Sequence, residues 1–333
     1  MRCIFNLVKR FINFLYFSGG NVLKRIITFG SMNMDLSIQT DRIPNNGETI
    51  QGSNFFLSPG GKGANQTVAA SKSGANTWIV GGVGDDLYGT QLLKTLKEYG
   101  VNCEYVKKTP HITTGVAMII RNNGDNRIIL DGGANKLIKP DDIDEVFQQL
   151  AHAGDIFLTQ FETDYQTVLY SLSAAKNNGL ITILNPAPAK YIPDSNYQNI
   201  DLLIINQWEC KFLCGIYPIQ ESEYKKAIEY FQQKGAHTVL ITLGAKGSVV
   251  GEGPTIHFTP GLSIKTVDTT AAGDTYIGAL ACSLSHGKSM KQSMEYATKA
   301  AALTVSKKGA QESIPTKQQI LKSTFTKEEK KHE

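Results

Sequence analysis

From residue 24 onward the chain alternates short, nearly unbroken apolar runs with longer segments in which apolar residues return every three or four positions. The runs at 25–29, 77–81, 155–158, 180–184, 201–205 and 238–241 are too short for helices and rich in β-branched residues, which suits strands buried on both faces. The stretches 64–72, 87–99, 165–176, 221–234, 272–284 and 290–306 read as helices, with Gly100, Gly179 and Gly235 as stops after three of them. Strand and helix in alternation predict an α/β fold, a mostly parallel sheet covered by helices. Two stretches, 36–56 and 114–130, break the alternation, and the second carries Asn122-Asn123-Gly124-Asp125 between apolar runs, a hairpin signal. Together they are expected to form a small β-sheet lid over the main domain and a dimer contact.

A chain of 333 residues, 41% hydrophobic and 19% charged, can bury a sizeable core. Its formal charge of +4 includes Arg2, Lys9 and Arg10, ahead of the predicted folded body, which is left nearly neutral. With no basic stripe interleaved with aromatics, nucleic acid is excluded as the main partner. Cys3, Cys103, Cys210, Cys214 and Cys282 lack the paired close spacings of a zinc site and read as free thiols in a reducing, cytoplasmic compartment. Cys210 and Cys214, four apart, share a helix face as two packed thiols.

Residues 1–21 are basic and acid-free, and their apolar stretch at 11–17 is too short to span a membrane. A secretory or transit segment has this composition. The favoured reading is that Ser18-Gly19-Gly20-Asn21 translates a purine-rich ribosome-binding sequence and that synthesis starts at Val22. The extension is expected to stay outside a domain spanning 22–322, with 323–333 a short charged tail.

The run Asp268-Thr269-Thr270-Ala271-Ala272-Gly273-Asp274-Thr275 sets small residues and a carboxylate where a helix begins. The first turn of that helix points unpaired N–H groups toward Ala271, Ala272 and Gly273, an anion trap, and Asp274 is placed as a base beside it. The competing reading makes Asp274 the helix cap. Ligands of open parallel sheets bind beyond the carboxyl ends of the strands. Asn33, Asp35, Glu162, Asn185, Asn206, Thr242 and Gly244 all follow apolar runs there, a set suited to a polyhydroxylated ligand. A glycine-rich loop, Pro59-Gly60-Gly61-Lys62-Gly63-Ala64-Asn65-Gln66, lets backbone approach a ligand closely. It is not a P-loop: Gly287-Lys288-Ser289 has Cys282 where the first glycine belongs, and Gly82-Val83-Gly84 lacks the third glycine of a dinucleotide fingerprint.

On these motifs, with Asn185-Pro186-Ala187-Pro188-Ala189, Asn206-Gln207-Trp208-Glu209 and Thr242-Leu243-Gly244-Ala245-Lys246-Gly247 in order, the chain resembles the ribokinase (PfkB) family of carbohydrate kinases from about residue 24 to 320. The resemblance implies a ribokinase-like three-layer α/β/α fold with a β lid, and ATP-dependent phosphorylation of D-ribose at its primary (O5) hydroxyl. It implies that Asn33, Asp35, Gly61, Lys62, Asn65 and Glu162 bind the sugar, that Asp274 is the general base, and that the backbone of Ala271, Ala272 and Gly273 stabilises the transferring phosphoryl group. Asn206 and Glu209 would organise Mg²⁺ on the nucleotide through water, and Thr242, Gly244 and Gly247 would line the ATP phosphates and ribose. Asp268, Thr270 and backbone from Val305 through Lys308 and Gly309 to Ser313 would hold an activating K⁺. A homodimer is implied. The chain departs from the family at Tyr276 and Ile277, neither expected to touch the chemistry. A kinase for another sugar or a nucleoside, with specificity set by Ala117, Ile119 and Leu130, and a catalytically silent sugar-binding regulator are the rivals.

Overall fold

The computed structural model describes residues 24–122 and 125–325. The extension at 1–21, the start proposed at Val22 and most of the charged tail lie outside the described residues.

A nine-stranded sheet runs through the molecule in the order β13-β12-β11-β10-β9-β8-β1-β4-β5. Its parallel strands are β1 (Arg25–Phe29), β4 (Asn76–Gly84), β5 (Val106–Thr109), β8 (Ile156–Gln160), β9 (Ile181–Asn185), β10 (Leu202–Asn206) and β11 (Thr238–Thr242). Strands β12 (Gly247–Glu252) and β13 (Thr255–Pro260) add an antiparallel hairpin at one edge. Successive residues of one strand feed opposite layers: Ile27 and Phe29 join Phe157, Leu203 and Ile241 on one face, whereas Ile26 joins Ile156, Ile204 and Leu240 on the other.

The first face is covered by α3 (Pro140–Leu150), α4 (Tyr165–Asn177), α6 (Gln207–Cys214) and α7 (Glu221–Lys234); α5 (Asp194–Tyr197) is a short turn among them. Facing the opposite layer are α1 (Lys62–Lys72), α2 (Leu87–Glu98), α8 (Ala272–Ser285) and α9 (Met290–Val305), with α10 (Lys317–Lys322) behind. All six predicted helices and all six predicted strands are present, within a few residues at each end. Gly100, Gly179 and Gly235 end their helices with positive φ. Gly287-Lys288-Ser289 is an ordinary helix start, Ser289 capping α9.

Three pairings, two antiparallel and one parallel, make the second sheet from β3 (Ser53–Gly60), β2 (Asn33–Gln39), β6 (Gly115–Asn122) and β7 (Asp125–Asp131), in that order. This is the predicted lid, and Asn122 pairs with Asp125 across the hairpin. It starts earlier than the apolar pattern suggested. Asn33 and Asp35 are not loop residues trailing β1 but part of β2, because their polar side chains alternate with Met34 and Leu36, which pack onto the core beneath.

Candidate active site

The strand order reverses direction on either side of β1, so the chain leaves β1 and β8 in opposite senses and opens a crevice between their ends. Ser31, just past β1, donates its hydroxyl to Glu162 Oε2 just past β8 at 2.5 Å, and the Lys62 backbone N–H reaches the same oxygen at 3.1 Å. Glu162 thereby ties the β1 end, the β8 end and the first turn of α1 together. Gly61 precedes α1 with φ 92°, where a Cβ would press on Asn33 N and Ser31 O. The glycine-rich loop therefore lies directly on the β1–β2 backbone.

Asn33 is buried and its Oδ1 accepts from Asn135 Nδ2 at 2.8 Å; Asn135, itself fixed to the Met32 N–H and carbonyl, was not singled out from sequence. Asp35 lies two residues on along the same face of β2. Burial first, then the charges of Glu162 and Asp274, push its carboxyl up to about 7.

Asp274 is buried near the start of α8. It does not cap the helix. The capping position belongs to Ala271, in the left-handed region with φ 58° and no side-chain cap, which leaves Asp274 in the first turn and aimed at α1. Its Oδ2 accepts from Asn65 Nδ2 at 3.1 Å and its Oδ1 from Gln66 Nε2 at 3.0 Å. The negative charge of Asp274 is the main cause that raises Lys62 above the ordinary lysine value; burial opposes it, and Glu162 and Glu209 add to it.

A cleft of about 230 Å³ opens beside this carboxylate, lined by Lys62, Asn185, Asn206, Glu209, Thr242, Thr269, Ala271, Ala272, Gly273, Asp274 and Ile277 among others. The predicted departure residue Ile277 thus does touch the site: one helical turn beyond Asp274, it faces the cleft, whereas Tyr276 points away to hydrogen-bond Ser248. Beyond Gly273 there is open space where a side chain would be, so an anion can approach its backbone.

Asn206 and Glu209 cap α6 reciprocally: Asn206 Oδ1 takes the Glu209 N–H and Glu209 Oε2 the Asn206 N–H, both at 2.8 Å. Besides capping the helix, Glu209 is buried against the cleft; burial raises its carboxyl, opposed by Asn206 and Lys62. Thr242 lines the cleft at the end of β11, while Gly244 (φ 58°) and Gly247 (φ 110°) shape the turn into β12 outside that lining.

Asp268 sits at the mouth of a backbone loop. Its Oδ1 accepts from Thr270 N and Oγ1, at 2.9 and 2.7 Å, and its Oδ2 from Gly309 N at 3.1 Å. Burial raises this carboxyl, but those bonds outweigh it and hold it below the usual range. The Val305 carbonyl accepts from Val267 N and Asp268 N; Ser313 turns back onto Ala310, and the Lys308 side chain is exposed. Cys210 and Cys214 pack as free thiols, Sγ to Sγ 3.6 Å. Among the described residues no helix is long and apolar enough to cross a membrane.

A three-layer α/β fold, a β lid over a polar crevice and a carboxylate at a helix start define a sugar-kinase type of protein. The chain matches the pfkB family carbohydrate kinase description over residues 23–317 and belongs to that family. Within it, the chain is 36% identical to the ribokinase of Haemophilus influenzae over 299 residues, 90% of this chain and 97% of that one. It is 34% identical to the deoxyribokinase of Salmonella typhi over 89% of this chain and 97% of that one. Among solved structures, the ribokinase of Arabidopsis thaliana complexed with ribose and ATP superposes with a TM-score of 0.83 at 30% identity, covering 90% of this chain and 98% of that one.

Proposed function

We propose that this protein transfers the γ-phosphoryl group of ATP to the primary (O5) hydroxyl of D-ribose, giving D-ribose 5-phosphate and ADP. The observation that carries the reading is the buried Asp274 carboxylate, held at the start of α8 where the helix N-terminus, Lys62 and Glu209 meet. The similarity to ribokinases supports the substrate pair.

In this reading Asn33, Asp35, Gly61, Lys62, Asn65 and Glu162 hydrogen-bond the sugar hydroxyls. A site of buried donors and acceptors rejects sugars that leave those groups unmatched. Asp274 takes the proton of the O5 hydroxyl as the new P–O bond forms, the bond to the β-phosphate oxygen breaks, and ADP leaves. The N–H groups around Ala271, Ala272 and Gly273, the dipole of α8 and the Lys62 ammonium stabilise charge on the transferring group. Thr242, Gly244 and Gly247 lie along the nucleotide. Asn206 and Glu209 would hold Mg²⁺ through water, Glu209 Oε1 being the carboxylate oxygen not used by the cap. Bound there, Mg²⁺ supplies charge neutralisation on the phosphates.

Asp268, the Thr270 carbonyl and the backbone at Val305, Lys308, Gly309 and Ser313 form the site proposed for K⁺, a hard cation that suits carboxylate and carbonyl oxygens. A homodimer through the lid is supported by Leu57, Leu36, Met118 and Ile129, which pair in one row across all four lid strands, three of them exposed. The free thiols among the described residues support a cytoplasmic setting. The near-neutral body supports no nucleic-acid partner, and no membrane association is proposed.

Deoxyribose is the second reading, favoured by the identity to a deoxyribokinase. ADP release measured with ribose, deoxyribose, fructose, adenosine and water, with and without potassium, separates them. Ribose is expected to dominate and potassium to stimulate. Ribose binding without ADP release indicates a silent binder and overturns the proposal.

A further inference from the structure

Both oxygens of Asp274 are occupied by amides from adjacent residues of one helix, and each amide is itself held by a buried glutamine from elsewhere in the fold. On one side Gln66 Nε2 divides its two protons between Asp274 Oδ1 at 3.0 Å and Asn185 Oδ1 at 3.2 Å, while Gln66 Oε1 accepts from Gln160 Nε2 at 2.7 Å. On the other, Asn65 Nδ2 donates to Asp274 Oδ2 and Asn65 Oδ1 accepts from Gln311 Nε2 at 3.2 Å. Gln66 and Gln160 are fully buried, and Gln311 and Asn185 nearly so.

The direction of the first chain is forced. The Ile204 carbonyl only accepts, so Asn185 must turn its Nδ2 toward it, at 3.0 Å, and present Oδ1 to Gln66. A carboxylate only accepts, so Gln66 must present its NH₂ to both Asp274 and Asn185. Its Oε1 then faces β8 and needs the donor that Gln160 supplies. Strands β8, β9 and β10 thus fix the amide that meets the carboxylate on α8. Three buried side chains, Gln66, Gln160 and Asn185, are committed to a bond that none of the proposed sugar or nucleotide contacts uses.

We propose that Gln66, oriented by Gln160, is a positioning residue for phosphoryl transfer: together with Asn65 it locks the plane of the Asp274 carboxylate so that a lone pair points into the cleft. This rests on Asp274 being the base. Holding a base in reacting geometry acts on turnover and leaves ground-state binding of the sugar alone.

Gln66→Met keeps the volume but strands Gln160 Nε2 and takes the donor from Asn185 Oδ1; the paired variant Gln66→Met/Gln160→Met removes the first of these losses and leaves only the Asn185 oxygen, beside the cleft, unmatched, so it carries the test. With folding verified by thermal melting, kcat is expected to fall about 10- to 100-fold while KM for ribose stays within about threefold. Gln311→Met, which loosens the Asn65 arm, is expected to lower kcat by a smaller factor and to raise KM for ribose as well, because Asn65 is also a proposed sugar ligand. In an Asp274→Asn background, Gln66→Met is expected to change the residual turnover less than about twofold, because its effect passes through the carboxylate. An unchanged kcat in the folded paired variant, a loss confined to KM, or an equal loss in both backgrounds overturns the proposal. Full turnover in Asp274→Asn alone refutes the base beneath it, and the proposal falls with it.

Discussion

Burial first, and then the nearby Glu162 and Asp274 carboxylates, raise the proton affinity of Asp35. Its native carboxyl keeps the proton up to about 7, whereas the unfolded group releases it near 4. Between those values the folded state binds the extra proton, so this group lowers stability as pH rises through the window. Asp35→Asn is accordingly expected to raise the melting temperature more at pH 8 than at pH 5, as thermal unfolding at the two values will show; an equal gain at both contradicts the shift. Asp274→Asn is expected to keep ribose binding by calorimetry and lose about 10²- to 10⁴-fold in turnover. The polar residues themselves were legible because they sit at strand ends and in glycine-rich turns. Their mutual orientation was not. Asn135, Gln160 and Gln311 act on residues far away in sequence, at separations of 102, 94 and 246, and no local pattern marks a glutamine that serves another amide. Ile277 was misjudged for a related reason: which face of an almost wholly apolar helix meets the cleft depends on what packs behind it.

Helices α1 and α8 cross where Gly278 lets them, since a Cβ there would collide with the Gln66 carbonyl and sit 2.6 Å from Ala69 Cβ. Gly278→Ala is expected to push the pair apart at a cost of about 1–3 kcal/mol. Thermal or urea unfolding will register that loss, and turnover should fall with it, because the crossing carries Asn65 and Gln66 to Asp274. Elements with strong repeats were read correctly from sequence, α7 and β11 to the residue or nearly so. The omitted α3 had its own signals: Pro140 at the first position, Asp141 and Asp142 in the first turn, and Ile143, Val146, Phe147 and Leu150 on one face. The β12–β13 hairpin was less accessible. Gly247 and Gly251 dilute its pattern, and Gly251 is required there because a side chain would strike Ile228 of α7, a tertiary fact.

At the scale of the molecule, the lid is a thin sheet with apolar side chains exposed on both faces, Phe56 and Ile128 on one, Leu57, Met118 and Ile129 on the other. Such a sheet is expected to find a second copy. Light scattering should give a dimer for the native chain and a monomer for Ile128→Asp/Ile129→Asp; a dimer surviving that change places the interface elsewhere. One helix, α1, meets the site twice, through Lys62 on the cleft and through Asn65 and Gln66 on Asp274. In the proposed mechanism the first turn of α1 supplies Lys62 to the acceptor alcohol's pocket, and the residues right after it, Asn65 and Gln66, hold Asp274 as the base. Recognition and proton removal therefore share one foundation. Evolution or engineering that shifts this turn to admit a bulkier acceptor will drag the proton abstractor along with it, so broadened tolerance should arrive with slowed catalysis, and wider scope without that penalty must come from lid residues such as Ala117 and Leu130.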